Sequence, residues 1–260
     1  MKPLSKSPSP LVRMIVAGAS AALLCAVLPD FARAGVVLTV EAPGVQSSQV
    51  GGVSTETFDG ITRANYTSLT TAVGMITAPT PGPRVHVANM FGGAGGTGNF
   101  LVVGSEAGQI ESKQADLAFG GAQAYLGLWL SALDSQNQIQ LFSGSTLIAS
   151  YNAPVVHARL VNTAYDGNPN AAFLGQDPTE PFAYLNFIGN DGTTFDRVRF
   201  TDTFGTSGLE MDNISIRAAA IAGSLPGQPI IGGISTPEPA SVSLLTVGCV
   251  GLLARSRRRR

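Results

Sequence analysis

The chain has 260 residues, 44% of them hydrophobic and 13% charged, and a formal net charge of −1. Its termini hide the charge of what lies between: residues 35–236 carry seven Lys and Arg against fifteen Asp and Glu, which leaves −8. A body of that sign lacks the basic footprint that phosphate backbones require, which excludes nucleic acid as an expected partner. Cys25 and Cys249 both lie in apolar end segments. The body is therefore expected to use neither disulfides nor thiolates, since about 200 residues can bury a core without staples.

Residues 1–34 place Lys2, Lys6 and Arg13 ahead of an apolar run from Met14 to Leu28, followed by the small-residue site Ala32-Arg33-Ala34. This order is that of a secretory signal peptide, with removal expected after Ala34. The run is shorter than the ~20 residues of a bilayer span, and Pro29-Asp30 close it. Leu24 stands where lipid attachment at Cys25 would want a small residue, which weakens a lipoprotein reading.

From Gly35 to Arg217 the local signals are those of strands. VVLTVEA, RVHVAN, FLVVG, AYLGLWLSAL, NQIQLF, TLIASY, FAYLNFIG, FDRVRF and LEMDNISI are short and rich in β-branched or aromatic residues, with Gly, Asp, Asn, Ser or Pro between them. Nine strands and no long amphipathic helix predict an all-β fold, an antiparallel β-sandwich of jelly-roll type, with a closed barrel as the alternative. Alternation puts Ala183, Leu185 and Phe187 on one face and Tyr184 and Asn186 on the other, and sets Val198 and Phe200 opposite Arg197 and Arg199. The nearly continuous apolar run around Trp129 predicts a central strand covered on both faces.

Within the body, FGGAGGTGNF spells a formal GxGxxG at Gly93, Gly95 and Gly98, but a strand follows where a dinucleotide site needs a helix, so a glycine loop is expected. Asp166, Asn168, Asn170 and Asp177 have the spacing of positions one, three, five and twelve of a calcium loop. Ala171 replaces the turn glycine and Pro169 stiffens the segment, so a calcium loop and an Asx-rich turn both stand as readings. By strand parity Asp196 joins Val198 and Phe200, and Asp212 joins Ile214 and Ile216. Both carboxylates are thus expected to face inward, as ligands of a structural calcium or as caps of backbone amides. No catalytic residue is assigned. With two histidines, no body cysteine, no GxSxG and no HExxH, the parts for nucleophilic or zinc hydrolysis are missing, and nothing singles out a glycosidase pair among fifteen carboxylates. Trp129, Tyr165, Asn168 and Tyr184 are candidates for sugar contact, with a core role as the plainer reading of the lone Trp.

Residues 218–236 are rich in Ala, Gly and Pro and read as a flexible linker. The tail, 237–260, runs Pro237-Glu238-Pro239, an apolar stretch to Ala254, then Arg255 and Arg257, Arg258, Arg259 and Arg260. Such arginines stay on the cytoplasmic side, each worth ~1 kcal/mol near an anionic leaflet, so a short C-terminal transmembrane helix would leave the body outside. A simple tail anchor is one reading. The order of the three parts also resembles the PEP-CTERM sorting signal of Gram-negative bacteria. That resemblance implies recognition of Pro237, Glu238 and Pro239 by a membrane-embedded exosortase. It further implies transient residence in the inner membrane and delivery to the cell surface or extracellular matrix, commonly in species that make extracellular polysaccharide.

The segments YLGLWLSALDSQNQIQLFSG, YDGNPN, EPFAYLNF, FDRVRF and GLEMDNISI, between Tyr125 and Ile216, together resemble a family of exosortase-dependent bacterial surface proteins. VEAPGV and ETFDG fit more loosely, and Leu130 stands where the family would have a second aromatic beside Trp129. The resemblance implies a cell-surface role without assigned enzymatic activity. The leading expectation is thus an exported, non-enzymatic surface or matrix protein, in contact with extracellular polysaccharide. The alternatives are a calcium-assisted glycan-binding module and, behind it, a secreted polysaccharide hydrolase.

Overall fold

The computed structural model describes residues 35–106, 109–202 and 207–235. The segments read as signal peptide and sorting tail lie outside the described residues. Among the described residues no helix is long and apolar enough to cross a membrane.

In chain order the strands are β1 (Gly35–Val40), β2 (Ser54–Glu56), β3 (Ser68–Thr71), β4 (Gly74–Thr77), β5 (Arg84–Val87), β6 (Asn99–Glu106), β7 (Gln109–Ile110) and β8 (Gln114–Gln123). They continue as β9 (Tyr125–Ser131), β10 (Asn137–Ser143), β11 (Thr146–Tyr151), β12 (Ala183–Asn190), β13 (Phe195–Asp202), β14 (Gly208–Arg217), β15 (Gln228–Pro229) and β16 (Ile234–Ser235), with one helix, α1 (Ala153–Leu160), after β11. A nine-stranded sheet has the order β15-β1-β12-β9-β14-β6-β5, with β2 beside β14 and β7 beside β6. A seven-stranded sheet has the order β16-β11-β10-β13-β8-β4-β3. All the pairings are antiparallel, as in β9 with β12 and β14 and in β13 with β8 and β10. The strands β12-β9-β14-β6 set against β11-β10-β13-β8 have the order of a jelly roll, the two-sheet fold of interlocked Greek keys.

The core between the sheets takes Leu126, Leu128 and Leu130 from β9, Ala183, Leu185 and Phe187 from β12, and Leu117, Ile139, Leu141, Val198 and Phe200 from the facing sheet. These are the inward positions that alternation predicts for β12 and β13. Arg197 and Arg199 face out, where both bond Asp116 and the Arg197 guanidinium lies 3.9 Å from the centre of the Phe142 ring. Burial raises the Asp116 pKa, and the hydrogen bonds and charges of the two arginines more than offset it, so the carboxyl sits below its ordinary value. Every residue of β9 is buried, because the outer face of its sheet is covered as well. There Trp129, Ala132, Phe182 and Tyr184 form a second apolar cluster.

Two expectations change. The segment read as a free linker is tied down, since β15 pairs with β1, β16 pairs with β11, and Ile230 is buried in the main core. The inward parity of Asp196 and Asp212 fails because each lies at a register shift. A bulge lets two successive residues oppose one, which turns the second to the opposite face. Phe195 is buried while Asp196 and Arg197 both turn outward, and Asp196 accepts the Gly144 amide at 2.8 Å on a surface hairpin. Met211 and Ile214 both enter the core, and Asp212 between them faces the outer layer opposite Trp129, with Asn213 in left-handed backbone (φ 47°).

Candidate functional site

The outer face of the nine-stranded sheet holds most of the residues that the sequence marks as functional, and the chain itself seals it. Tyr125 donates from its hydroxyl to Asn186 Oδ1 at 2.7 Å, and Asn186 Nδ2 donates to Glu41 and Thr39 at 3.0 and 3.1 Å. Gly127 lets the rings of Tyr125 and Tyr184 close over the strand: a Cβ there would lie 2.2 Å from one hydroxyl and 2.6 Å from the other. Burial pushes the Tyr125 phenol up to about 12 and the Tyr184 phenol higher still. Trp129 and Tyr184 are fully buried, and the Tyr165 hydroxyl donates to Glu41 O, so these rings and Asn168 offer no open platform to a sugar.

The six oxygen-bearing candidates divide among several places. Asn168 donates to Asn89 O and Met90 O and accepts the Asn170 amide, closing an Asx turn. Asn170 donates to Gly93 O and accepts Gln46 Nε2, which pins the glycine loop. That loop contains the short 3₁₀ turn Ala94–Gly96 and leads into β6, as a loop between strands does. Asp166 accepts the Asn162 amide. Asp212 accepts the amides of Ala94 and Asn213 at 2.8 and 2.6 Å. Burial, with Asp59 and Glu56 adding to it against these two bonds, pushes its carboxyl up to about 7. Among the described residues no group of three or more His, Cys, Asp or Glu side chains could hold a metal ion.

Asp177 instead sits with Glu180 and Asp134. Burial first, then the hydrogen bond and charge of Asp177, push Glu180 up to about 8, so at neutral pH it keeps a proton to donate to Asp177. Two carboxyls in direct hydrogen-bond contact are closer than the ~5–9.5 Å by which glycosidase pairs bracket a sugar bond. His86 is also structural in setting: it packs against Phe100 at 5.9 Å, and burial with the Arg84 charge holds its pKa down at about 4.

An open pocket occurs at one end of the sandwich, where β10 begins and β11 ends. A cavity of about 400 Å³ is lined by Ser135, Gln136, Asn137, Gln138, Tyr151, Asn152, Ala153, Pro154 and Ser235. Asn137 is 2% and Tyr151 4% exposed. Both polar atoms of the Asn137 carboxamide and the Tyr151 hydroxyl lack hydrogen-bond partners and are sealed from solvent, on the core side of the pocket wall. Parity within NQIQLF places Asn137 on the core side with Ile139 and Leu141, a signal that was present in the sequence. No protein-family model matches the chain, and no curated protein matches it.

Proposed function

We propose that the protein is an exported, non-enzymatic surface or extracellular-matrix protein, sorted by an exosortase through residues 237–260. The observation that carries this reading is the ordered tail: Pro237-Glu238-Pro239, an apolar stretch, then Arg255 and the run Arg257 to Arg260. The architecture is compatible with it. Among the described residues the last strand, β16, ends at Ser235, and in the sequence the Pro-Glu-Pro follows closely on a sandwich whose outer layer is closed by its own loops. In this reading the signal peptide directs export, the arginines hold the tail at the cytoplasmic face of the inner membrane until processing, and the body passes to the envelope or the polysaccharide around it. Asn168 and Asn170 spend their side chains on backbone carbonyls and Gln46, which ties the glycine loop to the segment that carries them.

In the native host, Glu238→Ala and deletion of Arg255 to Arg260 should each preserve export while changing how much protein is retained at the surface. Unchanged surface display in both variants would overturn the sorting role.

A further inference from the structure

The two sheets differ in what lies on their outer faces. Loops seal the nine-stranded sheet, whereas the charged side chains outside the seven-stranded sheet bond within that sheet: Arg197 and Arg199 to Asp116, and Asp196 to the Gly144 amide of its own hairpin. Alternation sends Ile76, Leu117, Ile139, Leu141, Val198 and Phe200 into the core, so the residues between them face solvent. Cross-strand register then lines up one row over all seven strands: Ser68, Thr77, Asp116, Arg199, Gln140 and Ser150, with Ser235 of β16 at its end. Every position in that row carries a hydrogen-bonding side chain. Neighbouring strands lie ~4.8 Å apart, which makes the row a polar track about 29 Å long.

The charges on this face select what the track takes. Arg197 and Arg199 are matched by Asp116 and Asp196, so the face sums to zero in a body that carries −8. A polyanion would meet no excess of positive charge here, and repulsion from the rest of the body. A protein partner buries an apolar centre, but of the exposed large apolar side chains Met75 alone belongs to this sheet, and the Arg197 guanidinium covers the Phe142 ring. The track suits instead a chain of hydroxyl groups, each of which donates and accepts. Carboxamide and hydroxyl side chains do both, and the pair of Arg199 and Asp116 sets donor beside acceptor. Asp116 accepts Nε and Nη2 of Arg199 at 2.7 and 2.9 Å, which holds the guanidinium plane and leaves Nη1 to donate. Side chains fixed in advance lose less entropy on binding. The side chains of Arg199 and Asp116 are 32% and 20% exposed, so a ligand lying on the sheet reaches both.

We propose that this row is the binding track of an uncharged polysaccharide chain, which lies across the strands with successive sugar hydroxyls meeting Ser150, Gln140, the Arg199 and Asp116 pair, and Thr77. The track needs neither metal nor aromatic platform. It is independent of the tail: loss of sorting would leave polysaccharide binding intact, and loss of binding would leave sorting intact.

The test uses the full chain in detergent, titrated by calorimetry with cellohexaose, mannohexaose, xylohexaose and maltohexaose, with the disaccharide of each, and with alginate hexamers as the anionic comparison. At least one neutral hexasaccharide should bind saturably and about tenfold or more tighter than its disaccharide, because the longer chain covers more of the track. By NMR it should shift the side-chain amide signals of Gln138 and Gln140, which lie partly exposed on this face, and leave that of Asn186, sealed on the other sheet, in place. Gln140→Ala and Thr77→Ala remove solvent-facing groups and should leave Tm unchanged while weakening binding about fivefold each and about 25-fold together. Affinity should hold between low and high sodium chloride. Absence of binding by all four neutral hexasaccharides, equal affinity for hexasaccharide and disaccharide, unchanged affinity in the double variant, or a preference for alginate that salt abolishes would each overturn the proposal.

Discussion

Asp212→Asn isolates the electrostatic cost of the outer layer. The carboxyl is 3% exposed, and it ionises at about 7 instead of its ordinary 3.8. An acid whose pKa is raised by folding binds more protons folded than unfolded, so its effect on stability is most favourable below 3.8 and worsens as pH rises through about 7. At ~1.4 kcal/mol per tenfold change, ionisation makes the folded state about 4 kcal/mol less stable at pH 8 than in acid. The isosteric amide carries no charge and so lacks this pH dependence. It also gives up one acceptor for the Ala94 and Asn213 amides, a cost of ~1 kcal/mol at every pH. Urea unfolding of parent and variant across the acid-to-alkaline range therefore gives a difference that grows in favour of Asp212→Asn by about 4 kcal/mol. Glu180, raised to about 8, tilts the parent in the same direction but is present in both proteins and cancels. Parallel pH profiles for the two proteins would refute the assignment of Asp212 as a buried, destabilised carboxylate.

Two further outcomes test the fold itself. Gly127→Ala drives a methyl to 2.2 Å from the Tyr125 hydroxyl, and should cost ~2–4 kcal/mol through overpacking and the strained bond to Asn186. In a body of this size that is a fall in Tm of roughly 5–15 °C, and an unchanged Tm would mean that the two tyrosines do not close over the strand. Addition of EDTA or of calcium should leave Tm unchanged; a rise with calcium that EDTA reverses would show a metal site in the body.

Nine of the strands, β1, β5, β6 and β9 to β14, were legible because β-branched and aromatic residues alternate in them or fill them. The long strand β8 was not, although Ala115, Leu117 and Phe119 alternate into the core, because its Ala and Gly residues dilute the β signal. Helix α1 is only eight residues long, and its start signal, Asn152 followed by Pro154, is overshadowed by the strand that precedes it. Parity reasoning worked in β12 and failed at Asp196 and Asp212 for a single cause. A bulge is a tertiary adjustment, and the one local hint of it is an Asn, tolerant of left-handed backbone, at position 213. The sealed outer layer was illegible for a related reason. Asn168, Asn170 and Gln46 reach partners up to 124 positions away, and only the folded chain shows that their side chains are already committed. The end cavity was half visible: alternation placed Asn137 inward, but not the lack of any partner for it.

The most direct test of the proposed sorting is the intact mass and terminal sequence of the protein recovered from the envelope of its native host. Export and exosortase processing give a species that begins at Gly35 and lacks Arg255 to Arg260. A mature protein that retains the Met1 to Ala34 segment and ends at Arg260 would contradict both steps.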